Sequence, residues 1–305
     1  DTPSSQEDLE KIPMLELSDI KREPAKDYND VKSVDGIKIV HHNIFTNKIA
    51  YINMSFDTKC VPDELIPYMG LLGSTLSLMD TKNYTYPELT NEININCGGL
   101  ATGTALYSDK VDFSKNTIVY EVKSKALYEK VPFVLGMMEE IMYNTRFDDY
   151  KRLKEIIARI KSRLEASLMG QGHSIAMLEC CAQFSESAYY SDILRGYKYY
   201  EFIKKLDEEF EQNKTQIVDK LNKLVGYIFN KDNVIVSLTA DDEGYDCFVK
   251  ALSAKSCNIK DEHYNTAVRS FIPVNVKTGY TSASQVQYVA RCGNFVKDGY
   301  KYTGA

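Results

Sequence analysis

Histidine is scarce in this sequence: His41, His42, His173 and His263 are the only four. None stands in a His-x-x-x-His or His-x-x-Glu-His spacing, so successive helical turns offer no pair of imidazoles to one metal ion. His41 and His42 are neighbours, and neighbours on a strand point to opposite faces. The seven cysteines, at 60, 97, 180, 181, 247, 257 and 292, include no Cys-x-x-Cys pair. That spacing excludes a zinc knuckle and a regular disulfide framework, and predicts free thiols in a reducing compartment. No stretch approaches the roughly 18 apolar residues of a membrane span. The opening residues have neither the basic nor the apolar region of a secretory signal. They also lack a methionine, which leads to the expectation that the chain is a piece of something longer. Thirty-seven Lys and Arg against 43 Asp and Glu give a net charge of −6. That balance argues against nucleic acid or an anionic membrane as partner. The one basic run, from Lys151 to Arg163, shares its helical pattern with Asp148, Asp149, Glu155 and Glu165, and reads as a solvated face.

Nucleophilic chemistry is equally poorly provided for. Ser74 and Ser77 lie inside an apolar helical pattern with no Gly-x-Ser-x-Gly turn. Cys97 has no basic neighbour to activate its thiol. Gly98, Gly99 and Gly103 lack the Lys-Ser/Thr of a phosphate loop. Glu155 and Glu165 have no histidines to join as ligands. The sequence therefore assigns no catalytic residue, no metal ligand and no substrate-binding residue. Tyr189-Tyr190 and the cluster Tyr197, Tyr199 and Tyr200 suit either peptide contact or a half-buried packing layer.

What is present is a mixed pattern. Residues 1–35 are polar, carry Pro3, Pro13 and Pro24, and read as an extended connector. Residues 37–44 and 49–56 are rich in β-branched residues, with a turn at Asn47, and predict a hairpin. A helix is expected over 63–79. A second begins near Tyr86, where Thr85 and Glu88 have capping-box spacing and Pro87 fits a first turn; Gly98-Gly99 ends it. Strands follow over 100–107 and 116–124. Phe147, Tyr150, Leu153, Ile157, Ile160, Leu164 and Leu168 recur every three or four residues, so 147–169 is a helix with one apolar stripe. Further helices are expected over 174–187, 199–210, 215–229 and 242–252, with a strand over 234–238. The order predicts an α+β fold, a mostly antiparallel sheet with helices packed on it. After a polar break, residues 271–274 and 285–291 look like strands that open another unit.

The stretch from Pro67 to Thr81, followed by Tyr-Thr-Tyr-Pro-Glu-Leu and then Cys97-Gly-Gly, resembles the zinc-helix region of the insulinase/pitrilysin metallopeptidases. Where an active unit has His-x-x-Glu-His, this sequence has Leu71, Leu72, Gly73, Ser74 and Thr75. The opening segment, the run from His41 to Asn47 followed by Ile49 to Asn53, and the run from Gln285 to Arg291 leading to Gly299 resemble the presequence-protease subgroup, which includes falcilysin. The resemblance covers nearly the whole chain. It implies that residues 1–35 end a linker between two halves. Residues 36–255 would then be the third of four α+β units, without a zinc site, and 256–305 a connector and the incomplete start of the fourth. It further implies a parent zinc metalloendopeptidase that degrades short unstructured peptides. This chain would be its non-catalytic C-terminal-half fragment, walling part of the chamber, with no cofactor of its own. Zinc is expected in the N-terminal catalytic half, which with peptide substrates would be the partner. The cytoplasm is the expected location, or an organelle matrix in a eukaryote. An alternative is a scaffold or assembly subunit of an inactive relative.

Overall fold

Local signals in the sequence become elements of a six-stranded sheet covered on one face by helices. The structure is a computed structural model, and describes residues 3–23, 29–109, 111–112, 115–254, 258–281, 286–296 and 298–301. A short helix α1 (Gln6–Glu10) precedes the strands β1 (Asp30–Val34), β2 (Ile37–Asn43) and β3 (Ile49–Asp57). Helices α2 (Ile66–Thr75) and α3 (Tyr86–Asn96) lead to β4 (Leu100–Ser108) and β5 (Asn116–Leu127). Then come α4 (Val131–Tyr143), α5 (Tyr150–Gly170), α6 (Gly172–Ala182), α7 (Glu186–Arg195), α8 (Tyr197–Glu208) and α9 (Phe210–Ile228). Strand β6 (Val234–Ala240) and helix α10 (Asp242–Ser253) close the unit.

The sheet order is β1-β2-β6-β3-β5-β4, and every pairing except β2 with β6 is antiparallel. The fold class is thus the α+β arrangement expected, but the predicted hairpin is not. β2 and β3 do not pair: β6, from almost two hundred residues downstream, lies between them, parallel to β2 and antiparallel to β3. Hydrogen bonds from a distant apolar strand win over sequence adjacency. The hairpin that does form joins β1 to β2, with Val34 opposite Ile37. Its two turn residues, Asp35 and Gly36, have φ of 51° and 82°, the left-handed pair that a two-residue turn needs. β1 therefore lies within the stretch read as connector.

The pleat sends one set of side chains toward the helices. Ile37, Ile39, Ile52, Met54, Phe56, Tyr120, Val122, Val236 and Leu238 face the helices and are buried. The capping box at Thr85 and Glu88 forms as its spacing predicts. α5 starts one turn later than expected: Asp149 caps it by accepting from the Arg152 amide, and Phe147 packs in the core ahead of it. The basic run of α5 is tied to its neighbours by Lys154 with Glu211 and by Lys161 with Asp207, at 2.9 and 2.8 Å. Beyond α10 the described residues form no further named helix or strand. Residues 271–274 and 286–291 pair with no strand among the described residues, and Gln285 and Cys257 lie outside them.

Candidate functional site

Helix α2 holds the positions that would carry the chemistry. Its sequence is almost wholly apolar, so it is not an amphipathic surface helix; it is buried between sheet and helices. Two glycines let it pack that closely. A Cβ on Gly70 would come within 2.7 Å of the Tyr199 ring and 3.0 Å of the Leu194 carbonyl oxygen. A Cβ on Gly73 would meet the Gly103 Cα at 3.2 Å. The Thr102 hydroxyl donates to the Gly73 carbonyl at 3.0 Å, pinning the helix to β4.

Leu71 and Thr75, one turn apart on the same helix face, both have 0% exposure. The Thr75 hydroxyl is occupied by its own helix, donating to the Leu72 carbonyl at 3.0 Å, and Ser74 donates to Gly70 at 3.4 Å. A catalytic zinc needs ligands with lone pairs and one position open to water. Leucine has no lone pair to give, Thr75 faces no solvent, and Ser74 is no general base. These residues do not fit the ion.

The remaining candidates are dispersed. Glu155 is solvent-facing and pairs with Arg152 at 3.4 Å; Glu165 accepts from the Tyr200 hydroxyl at 3.2 Å. His41 is fully buried, with Nε2 2.9 Å from the Ala240 carbonyl and its ring against Tyr245; His42, on the opposite face, sits 3.1 Å from the Ser237 hydroxyl. His173 lies beside Tyr288, and His263 pairs with Asp232. Ser77 is half-buried, and the Cys97 thiol donates to the Ile93 carbonyl at 3.0 Å. Tyr190 and Tyr199 are buried, while Tyr189, Tyr197 and Tyr200 are half-buried around them. Among the described residues, no group of three or more His, Cys, Asp or Glu side chains is placed to hold a metal ion.

One polar feature went unread in the sequence. On the uncovered face of the sheet, Glu121 forms an ion pair with Lys123 at 2.6 Å. It also accepts from Asn53 and Tyr107, each at 2.9 Å. Burial pushes its carboxyl up, but these donors outweigh burial and hold it below the ordinary glutamate value. Glu121, Asn53 and Tyr107 come from three strands, so only the pairing register brings them together. A groove of about 490 Å³ adjoins them, lined by Tyr51, Asn53, Gly99, Lys123, Lys125 and Thr239 among others.

No helix among the described residues is long and apolar enough to cross a membrane. A family model for the region associated with subfamily C of the M16 peptidases matches residues 1–206. Protein HypA of Clostridium perfringens is 37% identical over 309 residues, covering 100% of this chain and 31% of that protein. Presequence protease 1, chloroplastic/mitochondrial, of Arabidopsis thaliana is 26% identical, covering 100% of this chain and 28% of its own length. The chain thus spans about a third of these relatives. A crystal structure titled as a peptidase M16 inactive domain, from Pseudomonas fluorescens, superposes with a TM-score of 0.52 at 14% identity, covering 81% of this chain and 54% of that one. At that identity the likeness concerns the fold alone. With two thirds of its residues matched by the family model, the chain belongs to the family associated with subfamily C of the M16 peptidases, and its relatives include presequence proteases.

Proposed function

We propose that this chain is a non-catalytic part of the C-terminal half of a presequence-protease-like zinc metalloendopeptidase acting on short unstructured peptides. The observation that carries this reading is the closed face of α2. Leu71 and Thr75 stand where the fold's active units hold imidazoles, and both are sealed from water. The names of the presequence-protease relatives support the parent activity, and the share of the relatives' length spanned supports a separate catalytic half. In that assignment the N-terminal half supplies zinc, its ligands and the base. This chain closes the chamber and excludes folded substrates by size. Residence in the cytoplasm, or in an organelle matrix for a eukaryotic parent, goes with the same reading.

The test is cleavage of a fluorogenic peptide by the upstream half alone, by this chain alone, and by the two mixed, with zinc added. Activity that needs both is the expected result. Cleavage by this chain alone would overturn the reading. A tight complex of the two halves that stays silent would instead assign a scaffold role.

A further inference from the structure

Near its end the chain folds back over α6. Tyr288 lies against Gly172, leaving no room there for a side chain, and its ring sits 5.9 Å from that of His173. Further along the helix, the Cys292 thiol donates to the Met177 carbonyl at 3.8 Å, and the Cys180 thiol donates to the Ala290 carbonyl at 3.8 Å. Residues 177, 180 and 181 occupy one helical turn, being related by steps of three and four. The Cys292 thiol is accordingly seated against the helical turn that carries both Cys180 and Cys181.

Consecutive helical residues point about 100° apart, so Cys180 and Cys181 diverge and cannot bridge each other without unwinding the helix. Cys292 is the sulfur both can reach. All three are free thiols. Among the described residues no three such side chains are placed to hold a metal ion; thiols gathered at one turn can, however, exchange with a disulfide.

We propose that Cys180, Cys181 and Cys292 form a redox-modification site, in which Cys292 closes a disulfide with either helix thiol and pins residues 286–296 to α6. The oxidant is a small disulfide of the glutathione class. The Cys292 thiolate attacks one sulfur of that disulfide, forms a mixed disulfide and expels one glutathione thiolate. The Cys180 or Cys181 thiolate then attacks the Cys292 sulfur and expels the second. The protein loses two protons and two electrons, and the oxidant leaves as two thiols. The helix thiol left unbridged stands beside the new bond and can attack it in turn, moving the bridge by one residue. Burial pushes the Cys180 and Cys292 thiols above their ordinary value. Closure is therefore slow at neutral pH and keeps accelerating beyond the ordinary thiol pKa of about 8.5.

The experiment treats the full chain with oxidised glutathione, blocks the remaining thiols, and maps linked peptides by mass spectrometry. The expected product joins the Cys292 peptide to the one carrying Cys180 and Cys181. Cys180→Ser and Cys181→Ser should each keep a bridge through the other thiol, and the double variant and Cys292→Ser should lose it. A second readout is tryptic cleavage after Arg291, expected to slow several-fold in the oxidised chain and to be unchanged by oxidant in Cys292→Ser. Thermal transitions of the reduced variants close to that of the unsubstituted chain show that the fold survives each substitution. Cys292 recovered only as a glutathione adduct, a bridge surviving in the double variant, or unchanged cleavage at Arg291 in the bridged chain would overturn the proposal.

Discussion

Glu140 shows how a single buried carboxylate is put to use. It lies on α4 with 6% exposure and accepts from the Asn83 amide at 3.0 Å, the Asn83 side chain at 2.8 Å and Asn144 at 2.7 Å. Burial raises its carboxyl, but the donors from Thr81, Asn144 and Asn83 together outweigh burial and leave it below the ordinary value. A carboxyl whose folded pKa lies below the unfolded value of about 4.3 stabilises the fold above that pH. The contribution is lost as pH falls through the lower folded value. Glu140→Gln should therefore cost about 1–3 kcal/mol at neutral pH and flatten the acid limb of stability, read by urea melts between pH 3 and 7. An acid limb unchanged by the substitution would refute this account. Leu71 makes the opposite case. It is wholly buried in the core, so Leu71→Ala should cost about 2–5 kcal/mol. Urea melts showing a much smaller loss would mean that Leu71 is not part of the packed core.

Helix α2 carries that argument to the element scale. Restoring the motif with Leu71→His, Ser74→Glu and Thr75→His would place two imidazoles at sealed positions and a carboxylate at a half-buried one. The expected result is loss of several kcal/mol, about 1–3 for each buried polar group left unpaired, and no one-to-one zinc binding by calorimetry. Tight zinc binding by a folded triple variant would mean that the α2 face opens readily. The helix itself was legible from its apolar run and the turn after it. The closure of the face was not legible: it depends on Gly70 meeting Tyr199 and Gly73 meeting Gly103 across the chain. α4 escaped the pattern because it is apolar nearly all round, which hides the 3.6-residue period. Its cue was Pro132 in the first turn. β1 had a cue too, in Asp35-Gly36, but a polar surrounding masked it. The Glu121 cluster had none, since its three strands meet only through register.

At the scale of the whole molecule, the position of β6 decides how the chain must fold. It pairs with both β2 and β3, so among the described residues the strands β1 and β2 join β3, β5 and β4 in one sheet only through Val234–Ala240. Its inward residues Val234, Val236, Leu238 and Ala240 are all buried, and the helices from α4 to α9 must be traversed before it is reached. Closing so long a loop costs chain entropy before any contact compensates it. A chain ending after Phe229 should keep transient helices but fail to assemble the sheet, giving weak strand signal in circular dichroism and no cooperative melt. In the full chain, the amides of Val236 and Leu238 should exchange only through global unfolding. Those of the outer strands β1 and β4 should exchange through local opening, orders of magnitude faster. If β4 proved as protected as β6, the sheet would not be split in this way, and its stability would be spread evenly across the strands. Strong protection in β6 against fast exchange in β1 and β4 places the central strand, the last of this sheet in chain order, as the element that converts two separate strand groups into one sheet.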